Sequence, residues 1–269
     1  MGRLMLLRCH DYPFLVRRWR KVARAARLEM TAFAEADGYT VWRLAPRESG
    51  GPGEGGIYLS AGIHGDEPAG TEALIGWAEA NLDCLRRQPC LLFPCLNPWG
   101  LAHNSRTDAE GRDLNRTFQH DGVPHIRALK AFLKSRRFRL ALTLHEDYDG
   151  RGLYLYELER RTPFWGEDLV DIARPLIPIE GRATIDGRRT SRAGLVRRKI
   201  DLRRFPALPE AVYLHLHHAE RTFTFETPSE LALDQRVRVQ IALIGECIRR
   251  LENEAPRAGN RPGCRLTGC

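Results

Sequence analysis

The chain has 269 residues, 43% of them hydrophobic, and carries 42 Lys and Arg against 34 Asp and Glu, a net charge of +8. That length is enough to bury one sizeable core, so a single domain over 1–252 is expected, followed by a Pro-, Gly- and Asn-containing tail over 253–269 expected to be disordered. The positive charge brings nucleic acid, a membrane surface or an acidic substrate into view. The arginines are spread along the chain, however, and no helix-turn-helix, RNA-binding or zinc-finger signature accompanies them, so nucleic acid is not expected.

Seven cysteines, an odd number, stand at Cys9, Cys84, Cys90, Cys95, Cys247, Cys264 and Cys269 with no C-x-x-C pair. A reducing cytoplasm is the simpler expectation than a disulfide scaffold. The apolar stretch in residues 1–8 is too short for a signal peptide, and no segment approaches the roughly 18 apolar residues of a membrane span. Nothing in the chain specifies an oligomeric state.

In chain order, 14–28 has apolar residues at helical spacing among arginines and is predicted as an amphipathic helix. Residues 40–44 and 57–61 read as strands, separated by a turn-rich loop over 47–53. A helix is predicted over 69–85, a short apolar strand over 90–95 ended by Asn97-Pro98, a helix over 126–134 and a strand over 140–144. This order, with buried and non-alternating strands, predicts a three-layer α/β/α fold with a mixed, mostly parallel sheet. Farther on, 153–158 suggests a strand and 169–177 a helix, whereas 182–204 is crowded with arginine and has no clear period. A last strand over 221–225 and a long amphipathic helix over 231–251 close the pattern.

The chemistry gathers at strand ends. Gly62-Ile63-His64-Gly65-Asp66-Glu67-Pro68 follows the strand 57–61 and sets an imidazole and a carboxylate three residues apart in a turn. Zinc accepts both ligand types and, in a hydrolytic site, needs a third protein ligand. Spacing alone is weak evidence, because His217-His218-Ala219-Glu220 repeats it. The strand-then-turn setting raises the first match, since ligands of open α/β sheets lie beyond the carboxyl ends of strands. His145 ends the apolar strand 140–144 and is the best third ligand. Its neighbours Glu146 and Asp147 either orient an imidazole or are solvated loop charges. Glu226 ends the strand 221–225, where a helix-capping or salt-bridging role is the plain alternative to a catalytic one. The irregular polar stretch from Asn97 to Phe118 has the character of a functional loop.

Taken in order, His64-Gly-Asp-Glu67, Asn97-Pro98-x-Gly100, Arg106 leading into Asp113-Leu114-Asn115-Arg116-x-Phe118, Leu144-His145 and Thr224-Phe225-Glu226-Thr227 resemble the motif set of the M14 zinc carboxypeptidases. The flavour is that of the succinylglutamate desuccinylase/aspartoacylase branch. The resemblance runs over about 57–251, and five motifs in order are far more specific than any one. It implies Zn2+ held by His64, Glu67 and His145, Arg106 stabilising the oxyanion, and Asn115 and Arg116 clamping the substrate's free carboxylate. Glu226 is implied as general base and then general acid. The family's mobile tyrosine has Tyr213 as its candidate here, closer to Glu226 than the usual spacing, and Tyr213 also suits a strand in the core.

The implied activity is hydrolysis of an amide bond beside a free carboxylate in a short peptide. An N-acyl amino acid deacylase is the alternative, and a catalytically silent basic binding protein is the alternative of another class. His215 and His217, alternating on a strand, would share a face and with Glu220 form a second metal site; a rim of the active-site pocket or a plain polar edge is the expected role. The arginines of 182–204, Arg188, Arg189, Arg192, Arg197 and Arg198 among them, form either a solvated face or, lying over the sheet's carboxyl edge, an attractor for acidic substrates.

Overall fold

A computed structural model describes residues 8–47, 54–201 and 207–254. The expected disorder of the tail falls, from residue 255 on, outside the described residues. The elements in chain order are α1 (Tyr12–Ala26), β1 (Leu28–Ala36), β2 (Tyr39–Pro46), β3 (Glu54–Ala61), α2 (Pro68–Ala80), α3 (Leu82–Arg87), β4 (Cys90–Phe93), α4 (Pro98–His103), α5 (Pro124–Leu133), β5 (Arg137–Asp147) and β6 (Tyr154–Leu158). They continue through α6 (Gly166–Ala173), β7 (Thr184–Ile185), β8 (Arg188–Arg189), β9 (Leu195–Arg198), α7 (Glu210–His217), β10 (Ala219–Pro228) and α8 (Leu233–Asn253). No helix among the described residues is long and apolar enough to cross a membrane.

Eight strands form one sheet in the order β1-β2-β4-β3-β5-β10-β6-β9. The central pairs β4–β3, β3–β5 and β5–β10 are parallel, and β1–β2, β2–β4 and β10–β6 are antiparallel. The mixed, mostly parallel sheet between helices is therefore as expected. Alternation of side chains along each strand separates the two faces. Ile57, Leu59, Leu140, Leu142, Leu144, Phe223 and Phe225 point to one face, where α1, α2, α6 and α8 cover them. Each such fully buried aliphatic or aromatic side chain contributes about 1.5–3 kcal/mol of burial. Tyr58, Phe93, Phe138 and Ala141 point to the other face, under α5 and α7. His145 and Glu226 share that second face, because they stand an odd number of residues from Leu144 and Phe225.

Local chemistry sets the boundaries. Asp11 caps α1, its side chain accepting from the Phe14 N–H at 2.8 Å, and Arg27 ends it in the left-handed region (φ 59°). That reversal releases β1, which the helix-forming string Leu-Glu-Met-Thr-Ala does not announce. The helix predicted over 69–85 breaks at Asn81 into α2 and α3. Asn97 caps α4 through the Gly100 N–H at 2.9 Å, turning the expected loop into one and a half turns of helix.

The segment around 210–217 departs most from expectation. It is helix, with Pro209 at its N-cap, and its buried residues Ala211, Val212, Leu214 and His215 follow helical spacing. The strand reading of Tyr213, His215 and His217 is thus corrected: alternation in sequence arose from a helix whose apolar side packs on β5 and β10.

Candidate metal centre and active site

Three strand ends and one loop build the centre. After β3 the chain turns sharply at Gly62, whose φ of +62° suits glycine and where a Cβ would lie 2.8 Å from Thr71 and 2.9 Å from the Cys95 sulfur. Gly65 lets the turn press against α4, since a Cβ there would stand 1.9 Å from the Gly100 carbonyl carbon. The turn delivers His64, and Glu67 follows at the N-cap position of α2 ahead of Pro68. A helix N-terminus is a favourable place for a carboxylate. β5 supplies His145, and the His145 carbonyl accepts from Gln240 Nε2 of α8 at 3.0 Å, which ties the strand end to the helix behind it.

The Nδ1 atoms of His64 and His145 lie 2.6 Å and 2.9 Å from the two oxygens of Glu67. All three residues are buried, and their ligand atoms fall within 4.8 Å of one another, making this the one His/Cys/Asp/Glu group among the described residues able to hold a metal ion. Asp113 accepts a hydrogen bond from His64 Nε2 at 3.0 Å, an arrangement that directs Nδ1 toward the ion position. Burial disfavours charge on His64, yet Glu67 and Asp113 outweigh it and lift its pKa to about 9. Burial would raise Glu67, but His64 and His145 draw it well below the usual carboxylate range. Burial keeps His145 below the usual imidazole range. The cradle therefore favours positive charge between two imidazoles and a carboxylate, and two nitrogens with one oxygen are a donor set that suits a divalent transition ion.

Arg106 lies at the mouth, 3.3 Å from Glu67 Oε1 and 3.1 Å from Asp113 Oδ2, with 42% of its side chain exposed. Its loop is stapled by the buried Asp108, which accepts from the N–H groups of Glu110 and Arg112. Asn115 is held by its Oδ1, which accepts from the Glu210 N–H at 2.9 Å, so its amide nitrogen is left to meet a ligand. Arg116 is exposed on the same short turn and feels the charge of Asp113. Glu226 stands in register with His145 across the parallel β5–β10 pair and with Tyr154 across β6. It is half-buried in surface area, but the packing around its carboxyl and the charges of Glu67, Asp147 and Asp186 push it well above the usual range, against the pull of Arg106.

The structure thus brings together His64, Glu67, His145, Arg106, Asn115, Arg116 and Glu226. Tyr213 is not part of this group. Its ring packs against Phe118, His217 and His218 on α7, lining a cavity of about 500 Å³ with Lys130, Lys134 and Arg137. Its place as the substrate-covering tyrosine is corrected, because helical winding turns it toward α5. His217 and Glu220 also stand apart, with Glu220 bonded to Arg161 and His217 exposed, and the His215–His218 cluster forms neither a second metal site nor a rim of the cradle: His215 and His218 are buried, and His217 and His218 line the cavity beside Tyr213. Glu146 neither orients an imidazole nor faces water: it is buried, accepts from the Ala69 N–H at 2.6 Å and pairs with Arg236. Asp113 is the contributor whose part the motif string alone concealed, since its bond to His64 spans 49 residues.

Residues 55–174 match the family model of the succinylglutamate desuccinylase/aspartoacylase catalytic domain. Carboxypeptidase SOL1 of Arabidopsis thaliana is 28% identical over 131 residues, which take in 40% of this chain and 27% of that protein, so the match spans about a quarter of the curated relative. Among solved structures, a candidate metallopeptidase of Shewanella amazonensis has a TM-score of 0.79 at 20% identity, covering 90% of this chain and 94% of that one. A metallo-carboxypeptidase of Burkholderia cenocepacia has a TM-score of 0.65 at 15% identity over 89% of this chain and 68% of that one. One from Pseudomonas aeruginosa, in complex with (2-guanidinoethylmercapto)succinic acid, has a TM-score of 0.59 at 19% identity over 88% and 68%. At these identities the structural likeness establishes the fold.

Proposed function

From a chain that is similar to the zinc carboxypeptidases in motifs and fold, and whose residues 55–174 match the succinylglutamate desuccinylase/aspartoacylase catalytic domain, we propose a zinc-dependent hydrolase that cleaves an amide bond beside a free carboxylate in a short peptide. The observation that carries this reading is the register of Glu226 with His145, which sets a proton-accepting carboxylate beside the His64–Glu67–His145 cradle. The zinc ion, when bound, would supply Lewis acidity and acidify water toward neutrality.

The residues of the chain do the rest. Glu226, its proton affinity raised by burial and neighbouring carboxylates, takes a proton from the attacking water and returns it to the leaving amine. Arg106 is close enough to Glu67 to meet an oxyanion forming at the cradle, where one well-placed donor contributes about 3 kcal/mol. Asn115 and Arg116 hold the substrate's free carboxylate, for which a guanidinium offers two parallel donors. The Pseudomonas aeruginosa neighbour binds a succinic acid derivative, which supports a carboxylate clamp in this fold. Deacylation of an N-acyl amino acid is the second reading, favoured by the family match over 55–174. In the described part of the chain Cys84, Cys90, Cys95 and Cys247 are free thiols, which supports a cytoplasmic setting.

The test is a panel of zinc-loaded assays with C-terminal dipeptides against N-acetyl and N-succinyl amino acids. Release of the C-terminal residue from peptides supports the peptidase, and selective turnover of acyl amino acids the deacylase. Substoichiometric zinc without turnover after zinc is added would overturn both in favour of a binding protein.

A further inference from the structure

The cavity beside Tyr213 belongs to the end of the sheet away from the metal cradle. Arg137 lines it where β5 begins, and from there to His145 the strand rises roughly 26 Å. Three further cations, Arg127, Lys130 and Lys134, recur at helical spacing along one side of α5 and its last turn. Among the described residues Asp121 is the one carboxylate of the lining, and Lys130 holds it at 2.5 Å. The Lys130 ammonium also donates to the carbonyls of Phe118 at 3.3 Å and His120 at 2.8 Å, which fixes its place.

Among the described residues no carboxylate lies in ion-pair range of Arg127, Lys134 or Arg137, and the Arg137 guanidinium donates to the carbonyl of its neighbour Arg136 at 2.9 Å. Four cations thus face one carboxylate, a surplus that a dianion answers better than a monoanion. A cation in the last turn of a helix is ordinary, because it balances the helix dipole. That explains Lys134 but not Arg127, which stands near the start of α5, where the dipole disfavours positive charge. Arg136 does not extend the run: it lines a separate hollow with Arg43, both guanidiniums lying over the Phe132 ring. The cations are therefore a cluster about one cavity rather than a continuous basic track.

The other wall is aromatic. The rings of Phe118 and Tyr213 are 5.5 Å apart, and Tyr213 lies 5.0 Å from His217 and 5.2 Å from His218. The wall is fixed by backbone bonds, since the Phe118 N–H donates to the Leu208 carbonyl at 3.3 Å and the Leu208 N–H to Gln119 Oε1 at 2.7 Å. Its volume of about 500 Å³ is that of a preformed small-molecule site.

His218 supplies an independent observation. It is 4% exposed, and its Nδ1 lies 3.1 Å from the Arg136 carbonyl, an acceptor that only a protonated Nδ1 can meet. Burial, with Arg137 and His217 nearby, holds the ring below the usual imidazole range although the bond to Arg136 opposes this. Nε2 is then an acceptor, and it has no partner in the fold. Buried polar atoms are nearly always paired, and a cavity-lining ring with an unmet acceptor suits a ligand that carries a hydroxyl or amino donor.

We propose that this cavity is a nucleotide site, separate from the metal centre, taking a small phosphate ester that carries an aromatic ring and hydrogen-bond donors. The phosphate meets Arg127, Lys134 and Arg137, and the ring stacks on the Phe118 and Tyr213 wall. The site stands whether or not the cradle hydrolyses amides, because none of its residues belongs to the cradle or the carboxylate clamp.

The experiment is calorimetric titration of the zinc-loaded protein with AMP, UMP, adenosine, inorganic phosphate and a single-stranded oligothymidylate. At least one of the two nucleotides should bind about 10-fold more tightly than either adenosine or inorganic phosphate. Arg127→Gln and Lys134→Gln, both at exposed positions, should each weaken that nucleotide about 10-fold. Arg238→Gln, which removes the same charge from an exposed position on α8, should leave it unchanged. Tyr213→Leu should weaken the nucleotide about 10-fold while inorganic phosphate binds as before, a split that misfolding would not produce. No binding of either nucleotide overturns the assignment, as does nucleotide binding that survives both Arg127→Gln and Lys134→Gln. Equal affinity for nucleotide and inorganic phosphate overturns it in favour of an adventitious ion only, and tighter binding of the oligothymidylate than of either nucleotide overturns it in favour of a polynucleotide surface.

Discussion

His64 with Glu67 and His217 with Glu220 have identical spacing, yet they lie at opposite ends of one sheet. The first pair follows the carboxyl end of β3, where a glycine turn and a helix start direct both side chains inward to His145. The second straddles the end of α7 and the start of β10, where His217 is exposed and Glu220 pairs with Arg161. From Arg137 to His145 the rise along β5 alone puts roughly 26 Å between the two ends. Spacing on its own does not make a metal site. Convergence does, and the carboxyl ends of parallel strands are where the chain returns to supply it.

Substitutions at the two ends should differ most in metal content. Glu67→Gln should remove bound zinc and lower turnover by more than about 1000-fold, while Glu220→Gln keeps one zinc per chain by elemental analysis. Equal zinc in both variants would erase the distinction. Glu226→Gln should keep the metal and lower kcat by about 100- to 10,000-fold, and wild-type turnover in that variant would mean that another group moves the proton.

Glu210 lies between the ends, at the start of α7, with the Tyr58 hydroxyl donating to it at 2.7 Å. Burial lifts its pKa from 4.5 to about 7, although the hydrogen bond from Tyr58 opposes the rise. Because the folded state binds the proton more tightly, this group's contribution to stability is full below pH 4.5 and is lost as pH rises through about 7. Glu210→Gln should flatten that decline, by on the order of 3 kcal/mol at most. Urea midpoints at pH 4.5 and 8 read it, and parallel curves for the two proteins would contradict the burial argument.

Arg116→Ala should raise KM about 10-fold for substrates with a free carboxylate and leave amidated ones nearly unchanged. Equal loss on both would place Arg116 outside the clamp. The smallest effect is expected for the thermal stability of Glu220→Gln, since a partly exposed ion pair such as Glu220 with Arg161 contributes about 1 kcal/mol or less. A larger loss would show that this end is more tightly built than its exposure suggests.

Most of the centre was legible beforehand because its parts are local. His64, His145 and Glu226 each end an apolar run, and Asn115 and Arg116 sit in a motif that needs no partner to be seen. The helix α7 was misread for a definite reason: Val212-Tyr-Leu-His-Leu-His alternates as a strand would. Pro209 at the helix start and the packing of Leu214 against the sheet decide for the helix. β1 was missed because its residues favour helix, and its pairing with β2 is what holds it extended.

By itself the sequence determined the central strands β3, β4, β5 and β10 with the helix that follows β10, and the donor types gathered at the strand ends, since these follow from short-range periodicity and turn chemistry. Tertiary structure alone decided what long-range contact controls. Asp113 became a partner of His64 across 49 residues, and Glu146 became an anchor for the start of α2. Arg197, which pairs with Glu157 and Glu167, and Arg198, which lies over the Tyr156 ring, were assigned to opposite faces because β9 pairs with β6 in one register and no other. A one-residue change of register reverses every side chain along a strand, and register is a property of the neighbouring strand as much as of the strand itself.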